Sequence, residues 1–226
     1  MRITTWVGVA VGMLMLGNAG TALAGPPLLC HPYEIGQASS LPWQGHEWWP
    51  GRSDYKVANL VTETMAILTP STPVLVRMET MRRAAIYATR DRGVAEQLLT
   101  AVLGRARKLE AQGKPEANGW LDAAYLTEAL REVGNLAQMS DKSPFVEAVR
   151  TVNGLTAGLD GYAFILKSLD LRPGDPSIEF AAALIATRET GRDGSSRKYV
   201  EHAAKARAGA SATCDALLAR NLDHLF

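Results

Sequence analysis

The chain has no surplus of either charge. Its 24 Lys and Arg face 23 Asp and Glu, a net of +1. That excludes the electrostatic footprint of a nucleic-acid binder or of a protein drawn to an anionic membrane surface. Past the first two dozen residues no apolar run approaches the roughly 20 residues that cross a bilayer, so the mature chain is expected to have no membrane span. Phosphate-cradling and nucleophile motifs are missing too: the sequence contains no G-x-G-x-x-G, no Walker-type loop and no G-x-S-x-G. Cysteine is limited to Cys30 and Cys214, and Cys30-His31 lacks the preceding cysteine that haem attachment requires. His46-Glu47 opens an H-E-x-x-H string, but Pro50 stands where the second histidine belongs and forbids the helix that motif needs. Ser195 and Lys198 have S-x-x-K spacing without its companion motifs, and Ser195 sits where a helix cap is expected. No cofactor and no metal site follows from these residues.

What is present begins with an export signal. Arg2 precedes an apolar run from Trp6 to Leu16, and small residues then lead to Ala22-Leu23-Ala24 before Gly25. This is the order of a cleavable secretory signal, residues 1–24, and it predicts a periplasmic or secreted protein whose mature chain starts at Gly25. In such a compartment two lone cysteines read first as one disulfide, Cys30 to Cys214, with two free thiols as the alternative.

Residues 25–52 form an irregular aromatic arm. Pro26, Pro27, Pro32, Pro42 and Pro50 exclude regular helix, and Tyr33, Trp43, Trp48 and Trp49 punctuate the segment. From Ser53 the signals are helical and no stretch alternates as a strand, so residues 53–226 are expected to be an all-α domain. Ser53 can cap a helix running to about Thr69, stopped by Pro70. Thr72-Pro73 and Asp175-Pro176 are cap-plus-proline starts. Helices follow with Met78, Met81 and Ala85 on one stripe, then from about Val94 to Ala111, from Trp120 to near Gly134, from Asp160 to a stop at Pro173-Gly174, and from Asp175-Pro176 to about Arg188. The last two are expected over about Ser196–Ala208 and Ala212–Leu225, with Ser211 as a cap. The arginines at 77, 82, 83, 90, 92, 105 and 107 are interleaved with acids, the pattern of a solvated, salt-bridged face.

A-I-Y-A-T-R-D-R-G at 85–93 recurs as A-L-I-A-T-R-E-T-G at 183–191. Each is expected to end one helix, turn at its glycine (Gly93, Gly191) and return as an antiparallel helix. The offset is close to three units of about 34 residues, the period of helix-turn-helix solenoids. L-D-L-R-P-G-D-P at 169–176, the Ala-rich segment after it, and Y-V-E-H-A-A-K-A at 199–206 resemble a tetratricopeptide-type repeat boundary. The resemblance implies a right-handed stack of about three helical hairpins, closed by a C-terminal capping helix. C-H-P-Y-E-I-G at 30–36 and S-L-P-W at 40–43 resemble the start of exported bacterial proteins of this build, which implies a cell-envelope origin.

Stacked hairpins make a concave surface suited to protein or peptide partners. The expected function is therefore an envelope scaffold with a polypeptide partner. The alternatives are an envelope enzyme or carbohydrate binder using the aromatic arm and a groove carboxylate, and a purely structural envelope component. Candidate ligand-contacting residues are Trp43, His46, Trp48 and Trp49 on the arm, with Arg82 and Glu128 on the helices. The competing reading of the indoles is that they anchor the arm to its own helical body.

Overall fold

The computed structural model describes residues 27–45, 49–136, 146–187 and 197–225. The signal segment, His46, Trp48 and Gly191 lie outside them. All regular structure among the described residues is helical: α1 (Leu60–Ile67), α2 (Val74–Ala88), α3 (Arg92–Ala111), α4 (Ala117–Asn135), α5 (Val146–Val152), α6 (Gly161–Leu171), α7 (Pro176–Ala186), α8 (Arg197–Thr213) and α9 (Ala216–Asn221).

Several ends are set by the expected caps. The Asp160 carboxylate accepts from Ala163 N at 2.9 Å, and that of Asp175 from Ser177 N and Ile178 N at 2.9 and 3.2 Å. Other boundaries move, each for a visible reason. Ser53 caps nothing; the chain turns there, makes a 3-10 turn over Val57–Asn59 and becomes α1 only at Leu60. Pro73 is the N-cap of α2 and not its first residue, while Thr72 Oγ1 turns back to donate to Ile67 O at 2.5 Å. Ser211 lies inside α8, which runs on to Thr213, and Asp215 caps α9 in its place, accepting from Leu217 N and Leu218 N.

The repeated string is structurally repeated as far as it is described. Both α2 and α7 end on its alanine, at Ala88 and Ala186. The following threonine then donates back to the carbonyl three residues earlier, Thr89 to Ile86 at 2.6 Å and Thr187 to Leu184 at 2.7 Å. The turn after α2 does not use Gly93. It is made by Thr89, Arg90 and Asp91, and Gly93 lies in the first turn of α3, where a Cβ would come within 3.3 Å of the capping Asp91 carboxylate.

α4 is the centre of the molecule. It packs on α2, α3, α5, α6 and α7, and all its residues except Arg131, Gly134 and Asn135 are buried. A helix surrounded in this way must be apolar or internally paired all round. α7 packs on α6 and α8 as well as on α4, and α1 closes the end formed by α2 and α3. α2 is buried along its whole length except at Arg83, so Arg77, Glu79 and Arg82 lie inside the protein and not on the solvated face their spacing suggested. The patterning argument fails there because buried charges can be held by partners from other segments, which one-dimensional periodicity does not show.

Candidate functional site

The most elaborate polar constellation lies where the arm crosses α2 and α4. Glu79 has no exposed side-chain surface, and its carboxylate receives Arg82 Nε at 2.7 Å, Arg82 Nη2 at 2.8 Å and Arg83 Nε at 2.6 Å. The (i, i+3) and (i, i+4) spacings on one helix place both guanidiniums over one acid. Burial of so many charges is tolerated because each is paired and its remaining donors find acceptors, and most of those acceptors belong to the arm.

Side chains of the body grip the arm by its main chain. Glu132 accepts Leu28 N at 3.0 Å, Tyr125 OH donates to Leu28 O at 2.7 Å, and Arg82 Nη1 donates to Leu29 O at 3.1 Å. Glu79 accepts Tyr33 N at 3.0 Å. The Asn221 carboxamide holds Glu34 at both ends, accepting its N–H and donating to its carbonyl, each at 2.9 Å. Further along, Ser40 donates to Thr80 Oγ1, which itself donates to Val76 O; Arg83 Nη1 reaches Leu41 O at 2.5 Å; and Tyr87 OH reaches Pro42 O at 2.6 Å. Because Tyr125 spends its proton on Leu28, the Tyr33 hydroxyl is the donor in the 2.8 Å bond between the two phenols. Burial keeps both phenols neutral by raising them well above the ordinary tyrosine range.

Apolar sockets alternate with these contacts. Leu28, Leu29 and Leu41 are fully buried, and the Tyr33 ring packs edge-on to Tyr125 and Phe180 and stacks on His224 at 5.0 Å. Trp43 is half-buried, with the Arg82 and Arg83 guanidiniums 4.7 and 5.8 Å from its ring and Tyr87 at its edge. The outgoing chain passes so close that a Cβ on Gly51 (φ 78°) would stand 2.8 Å from Trp43 and 2.9 Å from Tyr87. Trp49, also half-buried, packs against the same core.

Of the candidate ligand-contacting residues, the structure brings Trp43 and Arg82 together and commits both to the protein's own arm–body contact. Glu128 is placed elsewhere on α4. It pairs with Arg131 and accepts Gly161 N at 3.0 Å, while Arg131 also reaches the Thr156 and Leu159 carbonyls. The disulfide expectation is corrected: Cys30 and Cys214 are both free. Cys214 is not on a helix facing the arm but in the left-handed turn between α8 and α9 (φ 53°), exposed, with its thiol directed at Ser211 O. Cys30 is half-buried on the arm, its thiol pushed up to about 12 by burial and then by the Glu132 charge.

Two further polar groups fall outside the sequence-based candidates. In one, His202 Nδ1 meets Glu179 at 2.5 Å and Nε2 meets Tyr162 OH at 3.0 Å, linking α6, α7 and α8. In the other, Arg77 pairs with Asp122 at 2.6 Å and also donates to the Thr72 and Thr69 carbonyls, fixing the turn that enters α2. Burial raises the Asp122 carboxyl against the opposing pull of Arg77. Sequence could have flagged neither, since each joins residues brought together only by helix packing.

A surface hollow of about 310 Å³ is lined by Arg131, Asn135, Asn153, Thr156 and several glycines, and another of about 440 Å³ by Met65, Gly104, Arg105 and Lys108 among others. Neither collects converging acids. Among the described residues no three His, Cys, Asp or Glu are grouped to hold a metal ion. Compared with known proteins, the chain matches no protein-family model, no curated protein and no solved structure.

Proposed function

We propose that this chain is an exported scaffold of stacked helical hairpins that binds an extended stretch of polypeptide by its main chain, and that its own arm occupies the binding face in the free protein. The observation that carries the reading is the chemistry of the grip. Buried Glu, Arg, Tyr and Asn side chains satisfy successive N–H and C=O groups of a segment that has no regular structure of its own. Main-chain contacts of this kind accept many sequences, while sockets for particular side chains add selectivity.

The helix order supports the hairpin part of the reading. α2 and α3, α4 and α6, and α7 and α8 pair in sequence, with α4 set on the first pair and α7 on the second. That neighbour pattern is compatible with a short tetratricopeptide-like stack, in which α2, α4 and α7 would line the concave side and α5 would be an insertion. The signal-like order of the first 24 residues supports a location in the periplasm or outside the cell.

The test separates arm from body. A protease site introduced between Gln44 and Gly45, both exposed, lets the arm be cut after folding. The expected result is a body that stays folded, releases the cut arm reversibly and takes up a labelled peptide of residues 27–44 in its place. A body that unfolds whenever the arm leaves would make the arm an integral core segment and end the binding reading.

A further inference from the structure

We infer that the arm is latched by a pair of histidines, His31 on the arm and His224 in the C-terminal turn, and that mild acid opens this latch and frees the face beneath it. As a means of regulation this rests on the reading of that face as a polypeptide-binding surface; as a property of the arm it stands on the geometry alone.

The two imidazoles meet edge to face, with centroids 5.7 Å apart, where the arm meets the 3-10 turn Leu222–His224 that follows α9. His224 is also stacked on Tyr33 and edge-on to Phe180 of α7. His31 Nε2 and His224 Nδ1 are both buried and have no hydrogen-bond partner in the protein. A proton on either nitrogen would therefore arrive as a buried donor without an acceptor, beside a second imidazole.

The surrounding charges relieve it only in part: Glu79 and Asp223 favour a charged His224, but burial, His31 and Arg82 oppose it. From the arm come Cys30, Tyr33 and Glu34; from α2, Glu79, Arg82 and Arg83; from α4, Tyr125 and Glu132; from the C-terminal turn, Asp223. α7 brings the Phe180 ring, and α8 brings Arg207, which donates to Leu225 O at 3.0 Å. Glu79 is already shared by Arg82, Arg83 and Tyr33 N, and Glu132 holds Leu28 N. Glu34 and Asp223 are exposed to water. Arg82 adds a fully buried positive charge next to the pair.

Burial, and then the Arg82 charge, hold His31 below the ordinary histidine value; burial, and then His31, push His224 down to about 4. The docked arm thus keeps both rings neutral, whereas a released arm lets them titrate near 6.5. Docking is at full strength above that value and weakens as pH falls from about 6.5 towards about 4. For His224 alone, the two values give at most about a 30-fold loss of docking at pH 5, and His31 acts in the same direction.

Hydrogen exchange of the intact protein tests this at the Tyr33 and Glu34 amides, which are bonded to Glu79 and Asn221. Between pH 7.5 and 5.0 their protection factors should fall by an order of magnitude or more, while those of α4 stay constant. The double variant His31→Gln/His224→Gln should hold its arm equally at both pH values. An unchanged wild-type arm, or a fall of the same size in the double variant, overturns the latch. Imidazole NMR titration of the wild type keeps the question open to refutation even if the double variant fails to fold: His31 must titrate below the ordinary histidine value of 6.5 and His224 below it towards about 4, and either ring titrating at 6.5 or above overturns the inference. Acid release of the arm in a protein whose cut arm never exchanges would uphold the latch and remove only the binding reading.

Discussion

Glu79→Gln should be among the most damaging single substitutions in this protein although it changes almost no volume. The wild-type carboxylate accepts from Arg82 twice and from Arg83 and Tyr33 once each, in a place with no solvent exposure. Glutamine retains one oxygen and turns an NH2 group towards guanidinium donors, so on the order of two charge-assisted bonds are lost at about 1.5–3 kcal/mol each. Arg82, fully buried, then loses the carboxylate that it pairs with, and breaking a buried pair from one side costs about 3–5 kcal/mol. The two routes agree, and domains of this size are stable by only about 5–15 kcal/mol. Urea denaturation followed by far-ultraviolet circular dichroism gives the free energy directly. The companion variant Glu79→Gln/Arg82→Met removes the buried guanidinium along with its carboxylate and should recover part of the loss. A cost below about 1 kcal/mol for Glu79→Gln would refute the claim that this ion cluster holds the arm, because a loss that small is typical of solvent-exposed pairs.

Gly161→Ala should cost roughly 1–3 kcal/mol, because its Cβ would lie 2.5 Å from Glu128 and push away the carboxylate that binds Gly161 N and Arg131. Gly104→Ala, in mid-α3 with no atom within 4 Å of the new Cβ, should instead stabilise by about 0.5–1 kcal/mol, and thermal unfolding of the two variants side by side checks the opposite signs. Both cysteines should alkylate in folded, oxidised protein, Cys214 readily and Cys30 slowly at neutral pH because burial disfavours its thiolate; intact mass showing two unreactive sulfurs would contradict the free-thiol structure. Cys214→Gly should raise stability by up to about 1 kcal/mol, since glycine takes the left-handed conformation without a Cβ penalty.

What the residues alone determined was local. Asp160 and Asp175-Pro176 announce helix starts because a short carboxylate can reach N–H groups two or three residues on, whatever the rest of the chain does. The repeated A-x-x-A-T strings end their helices alike because the threonine bonds within its own turn. The all-α character and the proline-rich irregularity of the arm are likewise properties of short windows. Tertiary structure decided everything that depended on who meets whom. Arg77, Glu79 and Arg82 have the spacing of a wet helix face, yet they lie inside because the arm and α4 bring partners from distant parts of the chain. Cys30 and Cys214 are paired by arithmetic and separated by geometry, since a left-handed turn at Cys214 directs its thiol to the surface. The grip of Glu132, Asn221 and Tyr125 on Leu28 and Glu34 spans about a hundred residues or more of sequence. No periodicity encodes a contact of that range; it exists only once the helices have packed and buried polar groups must find their partners inside the protein.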